Sequence, residues 1–361
     1  MIGGVGLLLK SNQSSNLKTG YLYFYIHFIT EITCFYFLSF IIGDSFYLWL
    51  CPLIYDALAF VPQSLIGYIS DKKKNINFGI VGIFLLIVAL LLFGFNISGK
   101  YIALIFLSLG NACIHINGAK VTLNCSNGKL SHSAIFVAGG SFGVITGKLL
   151  AMINIHYMFI IFLCLSMIPF IMYAELLFKE YIDNNNEDLS NYNYHSTRIN
   201  KGLIIFLAVF VVIVRGYMGY GIPTSWKKTV FQTVLLFITM GIGKALGGIL
   251  SDKFGIKKIA NISTLIAIPF LLFGDHYMVI SLIGVMFFSM TMSITLAVLV
   301  SVLKRNQGLA FGLTTIGLFL GTFPIFIFKF TSFLTNSFMI VILSFVCFII
   351  LNLILRGKEN V

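Results

Sequence analysis

The chain has 361 residues, of which 58% are hydrophobic and only 10% charged, with a mean hydropathy of +0.98. A soluble domain carries about 25% charged residues, so this chain has too few charges to cover a water-facing surface and its main solvent is lipid. The net charge of +12 would raise nucleic acid as a partner of a soluble protein; here the bases fall in short loops between apolar runs, the pattern that orients membrane proteins, and no nucleic-acid partner is expected.

A helix needs about 20 apolar residues to cross the hydrocarbon core. Segments of that length predict an all-α integral membrane protein of twelve transmembrane helices. After a cytoplasmic tail (1–19), six spans at 20–43, 46–69, 77–96, 101–125, 132–153 and 157–179 make an N-terminal bundle (20–179). A polar, Asn-rich stretch (180–201) reads as a solvated cytoplasmic linker. Six more spans, at 202–222, 229–250, 257–274, 277–302, 307–328 and 331–355, make a C-terminal bundle (202–355), followed by a tail (356–361). The opening MIGGVGLLLK lacks the basic segment and cleavage site of a signal peptide and reads as a tail. With both termini inside, sixteen basic residues lie on the cytoplasmic side, against Lys100, Lys227, Lys228 and Lys329 on the other. That asymmetry places the termini in the cytoplasm.

Ionisable residues within membrane helices are costly and usually face a cavity or a partner. Glu31, near the middle of the first span, is the main candidate for binding and releasing a proton; a fixed structural pairing is the alternative. His27 lies one turn earlier on the same face, and Asp56 lies midway along the second span. Gln63 follows two turns later. The fourth span carries Asn111, His115, Asn117 and Lys120, a polar stripe that reads as cavity lining or interhelical hydrogen bonding. Lys148, Arg215 and Lys244 also fall within spans. Cations thus outnumber central acids, which favours an anionic substrate. The six cysteines are scattered without CxxC spacing and read as small hydrophobes. Nothing fixes a metal-binding geometry for His27, Glu31 and His115, so neither a metal nor any other cofactor is expected.

Residues 67–71 read GYISD and residues 248–252 read GILSD, 181 residues apart, each closing an apolar span and opening a basic loop. Such duplication marks an internal repeat. With this loop the chain resembles the major facilitator superfamily. Gly67, Asp71 and Lys72 match the family signature in the first copy, where Lys74 replaces a usual glycine. Gly248, Asp252, Lys253, Gly255 and Lys257 match in the second. The resemblance implies two pseudo-symmetric six-helix bundles, with this motif acting as the cytoplasmic gate between them. The run AGGSFGVITGK, with Gly139, Gly140, Gly143 and Gly147, is similar to the Gly-rich fifth helix of the superfamily's exporters. A narrower resemblance, carried by HFITEITC, IYDALAFVPQSLIGYISD and GNACIHINGAKVTLNCSNGK, is to the fosmidomycin-resistance branch.

The function so implied is secondary active transport of a small organic molecule across the cytoplasmic (inner) membrane, by alternating access and by proton-coupled export. The protein would act as a monomer, with substrate, protons and membrane lipid as its partners. There is no GxxxxGK[ST] phosphate loop, so ATP is not consumed by the chain. A membrane-embedded lipid-modifying enzyme and a non-transporting sensor or scaffold are the rival readings.

Overall fold

The computed structural model describes residues 3–44, 50–73, 75–93, 97–185, 191–327 and 333–356. Lys74, Lys329 and Lys358, counted above for orientation, lie outside these residues. In chain order the helices are α1 (Gly3–Asp44), α2 (Leu50–Phe60), α3 (Gln63–Lys72), α4 (Phe78–Phe93), α5 (Ile97–Asn124), α6 (Ser131–Met152) and α7 (Tyr157–Asn185). There follow α8 (Lys201–Gly221), α9 (Val230–Phe254), α10 (Ile256–Leu272), α11 (Met278–Met290), α12 (Met292–Val302), α13 (Gln307–Ile327) and α14 (Phe333–Ile354). A lipid solvent offers no partner for backbone N–H and C=O groups, so spans are helical throughout.

Ten helical stretches among the described residues are long and apolar enough to cross a membrane. Two of them are interrupted. α2 and α3 share the stretch Leu50–Lys72 but part at Val61 and Pro62, where proline lacks an N–H and clashes with the preceding turn. α11 and α12 share Met278–Val302 and part at Thr291, with no proline there. The apolar helices α4 and α10 are shorter, at 16 and 17 residues. Large apolar side chains such as Phe84, Phe162, Leu176, Phe206 and Phe231 are exposed on the outside, as lipid-facing side chains are.

α1 packs on α6 and α7, α4 on α5 and α7, and α2 on α5; later in the chain α8 packs on α13 and α14, α9 on α11, and α10 on α11 and α14. The two groups meet where α6 lies against α9 and where α13 lies against α2, α3 and α5. Small residues allow the closest approaches. A Cβ at Gly139, Gly143 or Gly147 of α6 would stand within 2.5 Å of the carbonyl oxygens of Phe24, Phe28 and Ile32 on α1. The two backbones are thus in contact over two full turns, the van der Waals packing that replaces hydrophobic driving force in lipid.

The linker differs from the sequence expectation in two ways. α7 continues to Asn185, past the predicted helix end at 179. The described part, from Asn191, is a strap tied down on both sides rather than a solvated coil. Tyr192 is fully buried, its hydroxyl 2.8 Å from Ser126 Oγ and donating to the Lys129 carbonyl, while Tyr194 donates to the Gly128 carbonyl. Toward the later helices, His195 Nδ1 lies 3.0 Å from Ser301 Oγ. The Ser196 N–H donates to Ile354, and the Arg356 N–H donates to Tyr194. Tyrosine hydroxyls supply partners that an Asn-rich composition conceals. At the other chain end, the stretch read as an N-terminal tail is helical from Gly3.

Candidate functional site

The polar centre of the molecule is built from three helices. α1 presents His27 and Glu31, one turn apart; α5 presents Asn111 and His115, again one turn apart; α2 adds Tyr55. All are buried. Glu31 Oε1 lies 3.6 Å from His27 Nε2 and 3.5 Å from His115 Nε2, and it accepts a 3.0 Å hydrogen bond from Asn111 Nδ2. Asn111 Nδ2 also lies 2.9 Å from the Tyr55 hydroxyl. The far nitrogens of both histidines are occupied: His27 Nδ1 lies 2.9 Å from the Phe136 carbonyl, and His115 Nδ1 lies 2.9 Å from the Asn111 carbonyl. A carbonyl only accepts, so each Nδ1 carries a hydrogen, and each Nε2 faces the carboxylate, as a lone pair when the imidazole is neutral and as a donor when it is protonated.

α6 leaves room for this arrangement. A Cβ at Gly140 would stand 2.4 Å from His27 Nε2, and one at Gly143 would stand 2.7 Å from Glu31 Cβ. An aromatic layer adjoins the cluster. The Phe136 ring is 5.0 Å from His27 and 6.0 Å from Phe311, which reaches in from α13 of the later group.

The other sequence candidates fall into different places. Asp56 is half-buried at the edge of the cluster, close enough to interact electrostatically with Glu31 and with Tyr220 on α8. Gln63 is fully buried and donates to the Ala59 carbonyl, while its Oε1 has no hydrogen-bond partner. Asn117 turns away from the cluster and donates to the Tyr23 hydroxyl and to Glu175, two residues after His115 being about half a turn round a helix, on the opposite face. Glu175 on α7 is half-buried against Asn117. Lys120 donates to the Ser70 carbonyl at 2.6 Å, beside the Asp71 motif rather than beside Glu31.

Of the remaining cations, Lys148 stands 5.4 Å from the ring centres of both Phe35 on α1 and Phe237 on α9. Lys244 on α9 donates to Ser141 Oγ on α6 at 2.8 Å. Both therefore sit where the two helix groups meet. Arg215 does not: it donates to the Phe288 carbonyl at 2.8 Å and stacks 4.7 Å from the Phe288 ring, next to the α11/α12 break.

The duplicated motif closes one end of the molecule. Asp71, at the end of α3, accepts from the backbone N–H groups of Gly308 and Leu309, the first turn of α13, both at 3.0 Å. Asp252, near the end of α9, accepts from Leu130 and Ser131 at the start of α6, at 2.8 and 2.9 Å. Each acid thus caps a helix of the opposite group, satisfying orphan N–H groups at the positive end of the helix dipole. The motif glycines permit the approach: a Cβ at Gly67 would stand 2.3 Å from the Gly308 carbonyl oxygen, and one at Gly248 2.3 Å from Ala134 Cβ. Gly255, at φ +93°, makes the turn from α9 to α10. Lys257 donates to the Asn352 carbonyl, whereas Lys72 and Lys253 lie over the rings of Tyr68 and Phe254. The linker strap lies at this same end.

Tyr55, Phe136, Phe311, Ser141 and the strap tyrosines escaped the sequence reading. Among 37 Phe and 16 Tyr no single aromatic stands out. Ser141 did carry a signal, its place inside the glycine run of α6.

No protein-family model and no curated protein matches the sequence. The fold is shared nonetheless. The crystal structure of the fucose:proton symporter of E. coli superposes with a TM-score of 0.63 over 94% of this chain and 98% of the symporter, at 14% identity. The chain therefore has the fold of that symporter.

Proposed function

We propose that the protein is a secondary active transporter of the major facilitator superfamily, moving a small organic molecule by alternating access with protons as the coupling ion. Counting α4 and α10 with the ten longer stretches gives twelve spans in two six-helix bundles. The observation that carries the reading is the reciprocal capping by Asp71 and Asp252. Closure of one end rests on polar contacts between the two helix groups, each worth about 1 kcal/mol. Such contacts can be released together for a few kcal/mol, the scale of two-state equilibria in rocking proteins.

Glu31 supports the coupling part of the reading. Two imidazole lone pairs and a carboxylate converge there, and a proton placed among them turns repulsion into hydrogen bonds. Its arrival and departure would bias the two states of the transporter. Lys148 and Lys244, at the seam between the groups, support an anionic substrate. The linker end is the cytoplasmic side of the inner membrane in this reading, by the basic-residue asymmetry, and the working unit is a monomer. Export, and kinship with the fosmidomycin-resistance branch, rest on the sequence fragments alone. A lipid-modifying enzyme is disfavoured because the central groups lie midway along their helices, away from the interface.

The test is a ligand screen on purified protein, then flux in proteoliposomes with and without a pH gradient. Glu31→Gln is expected to abolish uphill, pH-driven accumulation while leaving downhill exchange. Uphill accumulation by the variant would remove Glu31 from the coupling role.

A further inference from the structure

We propose that His27, Glu31 and His115 form a binding site for one divalent transition-metal ion of the zinc class, at mid-membrane. The three side chains offer one ligand atom each, and these atoms lie within 4.8 Å of one another, all buried. Two imidazoles and a carboxylate are the donor set such ions take.

The orientation of the donors makes the case stronger than their proximity does. Both histidines donate from Nδ1 to a backbone carbonyl, of Phe136 and of Asn111. That is the outer contact which characteristically fixes the tautomer and ring angle of a metal-binding histidine. Both Nε2 lone pairs are then committed to the same point, at 3.6 and 3.5 Å from Glu31 Oε1. With neutral histidines and an ionised Glu31, three acceptors face one another, and Asn111 Nδ2 donates to Oε1. An electrophile belongs between them.

The dimensions suit an ion. Metal–ligand bonds of about 2.0–2.1 Å in a tetrahedron put neighbouring ligand atoms about 3.3–3.4 Å apart. The two separations from Glu31 Oε1 need shrink by only a few tenths of an ångström, while the third, between the two imidazole ligand atoms and within 4.8 Å, needs a closure of up to about 1.4 Å. Three protein ligands leave a fourth position for water or a substrate group. Hard cations such as Mg²⁺ and Ca²⁺ require oxygen ligands and are excluded by the two imidazoles.

Protons and the ion compete for the same lone pairs, so affinity falls as pH falls. The charged and titratable groups facing the cluster are Asp56 and Tyr55 on α2, Cys34 on α1 and Lys244 on α9. The inference shares Glu31 with the proton reading but does not depend on transport.

The experiment titrates Co²⁺ into purified full-length protein in detergent and follows its visible absorption. One Co²⁺ per chain is expected, displaced by Zn²⁺ but not by excess Mg²⁺ or Ca²⁺. His115→Ala and Glu31→Gln should each weaken binding by more than the roughly 10–100-fold that loss of an outer contact costs, while Lys228→Ala, at an exposed lysine between α8 and α9, leaves it unchanged. X-ray absorption of the wild-type Zn²⁺ complex should show two imidazole ligands, a readout that does not depend on how the variants fold. Absence of Co²⁺ binding, fewer than two imidazoles, or unchanged affinity in both variants would overturn the site. In those cases pH-driven flux could still stand, and loss of pH-driven flux with metal binding intact would remove the proton role alone.

Discussion

Gly140 shows how a residue without a side chain can matter to the site. Its missing Cβ is the space occupied by His27 Nε2. Gly140→Ala should therefore displace the imidazole, lowering thermal stability by about 1–3 kcal/mol, the usual cost of overpacking, and also weakening any function of the cluster. A melt combined with a transport or ligand-binding assay checks both effects. Arg215 makes the contrasting case. An arginine in mid-membrane suggests an anionic ligand, but here the guanidinium donates to the Phe288 carbonyl at a helix break. Arg215→Met should thus cost stability, about 1.5–3 kcal/mol for a charge-assisted bond, with little change in substrate affinity. A tenfold loss of affinity with an unchanged melting temperature would contradict that assignment.

At the scale of elements, the strap from Asn191 to Ile199 holds a group outside the membrane, His195, that titrates near neutral pH. Burial first, then the charges of Lys201, Lys304 and Arg356, lower the pKa of His195 from its ordinary value. A histidine depressed in the folded protein stabilises fully above its unfolded pKa, about 6.5, and loses that contribution as pH falls through the folded value. Hydrogen-exchange protection in residues 191–199, corrected for the intrinsic pH dependence of amide exchange, is therefore expected to fall on acidification below about pH 6.5, and His195→Gln should flatten the profile. The helices themselves were legible from hydropathy, because lipid permits few alternatives to a helix. Their breaks were not. Hydropathy averaging passes over Pro62, and the interruption at Thr291 has no proline to announce it. The i, i+4 pairs His27–Glu31 and Asn111–His115 were legible from spacing. That the two pairs face each other was not, because apolar residues cover lipid-facing and buried faces alike and leave helix rotation unspecified. For the same reason spacing left Asn117 and Lys120 between cavity lining and interhelical hydrogen bonding; both hydrogen-bond to neighbouring helices.

For the whole molecule, the repeat in the sequence foretold a duplicated loop, and the fold gives that loop a reciprocal use. Asp71→Asn and Asp252→Asn keep the size of the side chain but weaken the charge–dipole contact. Each should shift the closed end toward opening by about 1 kcal/mol, and the double variant by more. Spin labels at positions 129 and 253 would report a longer distance population in the variants, whereas an unchanged distribution would deny the acids a gating role. The same reciprocity bears on how the chain could be divided. Each helix group holds an acid whose partner N–H groups lie in the other group, so each group by itself ends in an unanswered carboxylate and an uncapped helix. Cut between Asn185 and Asn191 and co-expressed as two polypeptides, the pieces should co-purify as a stoichiometric complex. Asp71→Ala combined with Asp252→Ala should dissolve that partnership far more readily in the split protein than in the intact chain, where covalent tethering keeps the effective concentration high.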